Sequence, residues 1–192
     1  MSIKPEAPIL QFSDQQGWSK WLEENHAHSA GVWLKYAKKG SGIKTVVYAE
    51  ALEEALCYGW IDGQVARLDQ SFYLQRFTPR RPRSKWSQIN RGHAERLIAQ
   101  KRMKPAGLAQ VKAAKQDGRW EAAYEPQSRA TVPDDLQQAL DQNPSAKAFF
   151  ETLRGSNRYA ILFRIQDAKR PETRARRIAQ YVEMLAEHRT LH

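Results

Sequence analysis

At 192 residues, with 41% hydrophobic residues, six Trp and seven Tyr, the chain has a folded composition sufficient for one domain or two small ones, which excludes disorder. A formal net charge of +10 and a pI near 9.8 point to anionic partners. No apolar run approaches the roughly 18 residues of a membrane span, and the single cysteine, Cys57, excludes an intrachain disulfide.

The first residues (MSIKPEAPILQFSDQQ) lack the apolar stretch and cleavage site of a signal peptide, so a cytoplasmic location is expected. Pro5 and Pro8 make 1–12 an extended arm. Ser13 followed by Gln16 is a capping-box pattern, and Trp18, Trp21 and Leu22 then load one face of a helix that fades over 25–29. His26 and His28 read as surface histidines: no cluster of further ligands completes a site, and no metal is expected. Val32, Leu34 and Tyr36 alternate with Trp33, Lys35 and Ala37 as a strand, closed by Gly40-Ser41-Gly42. From about Thr45 a stripe of Ala51, Leu52, Ala55 and Leu56, with Glu50, Glu53 and Glu54 on its wet side, predicts a helix ended by Gly59. Cys57, near the negative end of that helix, reads as a packing residue rather than a nucleophile.

Trp60-Ile61-Asp62-Gly63 reads as a turn, and 63–70 and 71–78 as two strands of a hairpin. With Phe72 and Leu74 on a buried face, Arg76 falls at its edge, where Asp62 is the expected partner. Thr78-Pro79 and Arg81-Pro82 hold the chain extended. Ser84 reads as the N-cap of a helix with Trp86, Ile89, Ala94, Leu97 and Ile98 on its apolar side. Arg80, Arg81 and Arg83 then stand directly before a helix N-terminus that also carries Lys85. Free N–H groups, the positive dipole end and guanidinium groups together favour an anion. His93, mid-helix, reads as a surface or half-buried residue. Pro105 opens another helix, with Leu108, Val111 and Ala114 on its apolar stripe and Asp117-Gly118 at its end, and Trp120 folds back onto the core.

Residues 67–104 hold eleven Lys/Arg against two acids, which is nearly all of the net charge. The stretch 91–104 reads as solvated helix surface, so the candidate site narrows to 76–86. Its anion-binding residues are Arg76, Arg80, Arg81, Ser84, Lys85 and Trp86, supported by Trp60, Asp62 and Asn90. No catalytic residue, metal ligand or cofactor is assigned.

Residues 121–131 are polar, contain Pro126 and lack a hydrophobic period, as a linker does. Beyond them, helices are predicted to start at Pro133, Pro144, Gly155 and Pro171, with apolar stripes such as Leu136/Leu140 and Phe149/Phe150/Leu153. Arg170, Arg174, Arg176 and Arg177 form a second basic cluster, read as structural or interfacial. The expected fold is α+β. Residues 1–120 carry a small antiparallel sheet of about three strands packed by helices, and 132–192 a bundle of about four short helices.

These features together resemble the bacterial YdeI/OmdA family, labelled bacteriocin-protection or OmpD-associated. The resemblance rests on Trp21-Leu22 with Asn25-His26, Val32-Trp33-Leu34, EALEEALCYGWIDG (50–63), RFTPRRPRSKW (76–86), VPDDLQQAL (132–140) and AKRPETRARRI (168–178). It implies protection against cationic peptides, association with an outer-membrane porin and a periplasmic location; no catalytic set comes with it. Three functions compete on the residues. The first is a non-enzymatic protection protein with an anion- or phosphate-binding groove. The second is a nucleic-acid binder, which the charge fits but no helix-turn-helix, zinc-finger or RNP-like motif supports. The third is an enzyme acting on a phosphorylated or carboxylated small molecule through Asp62, Arg76, Arg80, Ser84 and His93.

Overall fold

A computed structural model describes residues 7–191; the Pro5 half of the expected arm lies outside them. Its contacts divide the chain between Ala123 and Tyr124 into two compact units.

The first unit is a mixed sheet covered on one face by helices. Helix α1 (Gln15–Asn25) is capped by Asp14, whose carboxylate accepts from Gly17 N at 2.9 Å, one residue after the expected Ser13. It buries Trp18 and Leu22. Strand β2 (Val32–Ala37) and helix α2 (Tyr48–Cys57) follow, and Gly59 ends α2 at φ +75°. The sheet has four strands where about three were expected, in the order β1-β2-β4-β3. The addition is β1 (Ile9–Leu10), which lies parallel to β2 and makes the sheet mixed rather than antiparallel.

Strand β3 begins at Trp60 and runs to Arg67, so 60–63 is strand, not turn. The Asp62-Gly63 pair falls in a register slip between Asp62 and Val65, where turn-forming residues serve a bulge. Strand β4 (Phe72–Pro79) lies between β2 and β3. Its buried face is the reverse of that assumed. Val32 pairs with Phe77, Leu34 with Gln75 and Tyr36 with Tyr73, and directly opposed residues share a face. That face meets the helices, so Phe72, Leu74 and Arg76 lie on the outer one beside Trp33, where Trp33, Ala66 and Leu74 make a small second cluster.

Trp18 is the hub of the main core. Its ring meets Phe12 (5.6 Å), Trp21 (5.3 Å), Trp60 (6.4 Å) and Phe77 (5.7 Å), and its Nε1 donates to Ala51 O at 3.0 Å. Trp60 Nε1 donates to His26 O at 3.1 Å. Each indole is apolar in body and satisfied at its one donor, which suits burial.

Helices α3 (Gln88–Ala99) and α4 (Pro105–Gln116) complete this unit. The inward stripe of α4 is Gly107, Val111 and Ala114, while Leu108, expected inside, is 43% exposed. Gly107 explains the rotation, since without a side chain the α4 backbone lies directly against the end of α2. A Cβ built there would come within 2.3 Å of Cys57 O and 2.7 Å of Leu56 O.

The second unit holds α5 (Asp134–Asp141), α6 (Pro144–Thr152), α7 (Gly155–Gln166) and α8 (Pro171–Ala186). Leu136, Leu140, Phe150, Ile161, Leu162, Ile165 and Leu185 fill their common core. Arg174 of the second basic cluster clamps Asp135 at 2.6 and 2.8 Å, and Arg177 donates to Arg164 O.

Gly107→Ala must push α4 off the backbone of α2. We expect a loss of about 3 kcal/mol in urea unfolding, whereas Gly92→Ala, with open space around its Cα, should be neutral or stabilising.

Candidate functional site

The arginine loop between β4 and α3 is held from within. Arg80 is only 5% exposed; its guanidinium lies 3.6 Å from the Trp86 ring centroid and its Nη1 donates to Lys85 O at 3.1 Å. Trp120 meets Trp86 edge-on at 4.8 Å, and Arg119 Nη1 donates to Ser84 O at 2.8 Å. Arg91 Nη1 reaches Trp120 O at 3.3 Å. The residues just after α4 therefore pin the loop from outside its own sequence.

Ser84 is not the cap. Its hydroxyl accepts from Arg81 N at 2.9 Å and its N–H donates to Arg81 O at 2.9 Å, closing a tight turn around Pro82-Arg83. The cap is Ser87, which accepts from Asn90 N at 3.1 Å. Helix α3 thus starts a turn later than expected. Trp86 lies before it, and Ile89, in its first turn, is 51% exposed. The bond from Arg80 to Lys85 O and the stack on Trp86 keep 85–86 extended, which delays the helix.

The nominated residues, taken with their neighbour Arg83, fall into three groups. Arg80, Ser84 and Trp86 build the loop, and Trp60 belongs to the core. Arg81, Arg83 and Lys85 are exposed along it, and no ion pair engages Arg81 or Arg83 among the described residues. Arg76 sits apart, on the outer sheet face, with its guanidinium 5.7 Å from the Trp33 ring centroid and Nη2 beside Gly31. Asp62 does not answer it: its carboxylate accepts from Tyr48 Oη at 2.8 Å. Helix-side residues of β3 and β4 alternate with outward ones, and Asp62 and Arg76 take opposite faces. The set nominated for an enzyme is likewise dispersed, with His93 Nδ1 meeting Arg96 Nη2 at 2.8 Å.

In the stretch 91–104, Lys101 and Lys104 are exposed as expected, while the three arginines are ion-paired. Arg96 and Arg102 donate to Glu53 at 2.6 and 2.9 Å, Arg102 also to Glu54 at 2.6 Å, and Arg91 pairs with Glu95 at 3.3 Å. Glu54 is buried and further accepts from Gln15 Nε2 (2.6 Å) and Ser19 Oγ (2.9 Å). The hydrogen bond from Arg96 holds the Glu53 carboxyl below the usual carboxylate range. Burial, reinforced by Glu54, pushes the Cys57 thiol up to about 11, so it stays protonated at neutral pH.

Sequence reasoning passed over two concave surfaces in this unit. One, about 790 Å³, is polar and lies where the starts of α1 and α2 meet, lined by Ser13, Asp14, Gln15, Lys44, Glu50 and Glu54 among others. The other, about 660 Å³, is apolar and runs along α4. None of the six nominated anion ligands lines either.

Residues 10–110 match the family described as a domain of unknown function (DUF8412), and residues 129–188 match that described as Bacteriocin-protection, YdeI or OmpD-Associated (OmdA). The chain belongs to the DUF8412 family, and its C-terminal residues 129–188 match the OmdA family. The C-terminal helices α5–α8 are thus its OmdA part, and the sheet with the arginine loop its DUF8412 part. No curated protein and no solved structure matches the chain. Among the described residues, no helix of this DUF8412 protein is long and apolar enough to cross a membrane.

Two outcomes follow from the geometry. Arg80→Ala should cost about 2 kcal/mol through the lost stack and hydrogen bond, while Arg81→Ala and Arg83→Ala should stay within about 0.5 kcal/mol of wild type in the same denaturation assay. For Glu53, a folded pKa below the unfolded value of about 4.3 means its contribution is present above that value and fades as pH falls through the folded one. Glu53→Gln should therefore be less stable at neutral pH and lose less between about pH 5 and 3, read as urea midpoints across pH.

Proposed function

We propose that this OmdA-family chain is a non-enzymatic protection protein whose DUF8412 part holds an anionic, phosphate-bearing ligand on the loop surface of Arg81, Arg83 and Lys85. The observation that carries the reading is the division of labour within the loop. Arg80, Trp86, Trp120 and Arg119 fix its course, leaving Arg81 and Arg83 exposed with no ion pair among the described residues. Most other arginines of the basic block are spent on Glu53, Glu54 and Glu95. Presented guanidinium groups on a stiff turn lose little entropy on forming bidentate bonds with a phosphate.

The net charge of +10 repels cationic peptides, so protection by direct capture of such peptides is disfavoured. An anionic ligand or partner is the route the charge favours.

The test is isothermal titration of inorganic phosphate, ATP and a short single-stranded oligonucleotide, each against wild type and Arg81→Ala/Arg83→Ala. Binding of phosphate or ATP, weakened about tenfold or more in the variant at unchanged stability, supports the proposal. A steep salt slope counting several phosphates, seen with the oligonucleotide alone, replaces it with nucleic-acid binding. Equal affinity in both proteins overturns it.

A further inference from the structure

Helix α4 has two apolar stripes, and the first unit's core uses one. Gly107, Val111 and Ala114 face inward against α2. On the other side Pro105, Leu108 and Ala109, with Ile98 of α3, floor an open groove of about 660 Å³ rimmed by Lys112 and Lys115. Leu108 is 43% exposed there. Among the described residues no carboxylate lines the groove, and α4 carries no acidic residue at all. An apolar floor beside a rim of Lys112, Lys115 and the neutral Gln116 asks for an occupant that is apolar on one face and anionic on its flank.

We propose that this groove docks an acidic amphipathic helix of a partner protein. The twelve residues of α4 span about 18 Å, the length of roughly three turns of a partner helix. Apolar residues at i, i+3, i+4 and i+7 would lie on Leu108, Ala109 and Ile98, and Asp or Glu on the adjoining flank would meet Lys112 and Lys115. The charge argues against a second copy as the occupant. A second copy docking the same stripe would set Lys112 and Lys115 against their own equivalents in a self-complementary contact.

The inference stands independently of the anion site, which lies on the loop before α3. It is tested with the full chain and a fluorescein-labelled, hydrocarbon-stapled peptide of about 14 residues, long enough to cover α4. The peptide carries Leu at i, i+3, i+4 and i+7 and Glu on the flank; a second peptide has Lys in place of each Glu. Anisotropy should show the acidic peptide binding and the basic one not. Leu108→Asp, at a half-exposed position, should weaken binding about tenfold or more. Lys112→Glu/Lys115→Glu should reverse the preference towards the basic peptide, an outcome that misfolding does not produce. Circular dichroism and urea midpoints equal to wild type confirm that both variants fold. Absence of acidic-peptide binding, or equal binding of both peptides, overturns the proposal. So does concentration-dependent dimerisation abolished by Leu108→Asp, which would assign the groove to a second copy. Leu108-dependent binding to phosphatidylglycerol vesicles without peptide binding would assign it to a lipid surface and overturn it equally.

Discussion

The buried carboxylate of Glu54 is the constraint around which the first unit is assembled. A charge removed from water is tolerated only when its oxygens are fully engaged, and an abandoned partner is costly. Glu54 meets that condition with three groups from two places in the chain: Gln15 and Ser19 of α1, and Arg102 of the α3–α4 connection. Arg102 then carries the same geometry to Glu53, which Arg96 completes. One pair of adjacent acids thus fixes how α1, α2 and α3 sit on the sheet, because a displaced element would strand a charge. The tryptophan core below them supplies the burial; the carboxylates supply the register.

That network also changes the meaning of the basic block. A run of eleven cations looks like one long binding face, yet Arg91, Arg96 and Arg102 are spent on carboxylates and Arg80 on an indole ring. Charge density along a sequence counts cations without their partners, and the Glu53 partner of Arg96 and Arg102 lies 43 and 49 residues away. Arg81 and Arg83 stay exposed without an ion pair among the described residues, on a turn stiffened by Pro82 and braced by Arg119 and Trp120. Arg76 was grouped with that turn by proximity in sequence and separates from it because alternate residues of a strand point to opposite faces.

Glycine at position 107 links the fold to its surface. Seating the α4 backbone against Cys57 and Leu56 turns the 107/111/114 stripe inward. The same rotation leaves Leu108 and Ala109 outside, beside Lys112 and Lys115. An apolar residue in a helical period cannot announce which of two stripes is buried. A mid-helix glycine was the available signal, because a helix gives up about 1 kcal/mol for it unless a close approach repays the loss.

Taken alone, the sequence determined the class of the fold, the helical character of the C-terminal half, most element positions and the OmdA resemblance. Those properties are written in local periodicity, in Pro and Gly boundaries and in contiguous motifs. The start of α3 was misplaced because two serines three residues apart are equal as caps; Ser84 was claimed by a turn and Ser87 left for the helix. The buried face of β4 was misassigned because Phe72/Leu74 and Tyr73/Phe77 are equally apolar, and only the pairing with β2 separates them. Tertiary structure alone decided which arginines are free, since a guanidinium is neutralised by whatever the fold brings within 4 Å, and nothing in its own neighbourhood says what that will be.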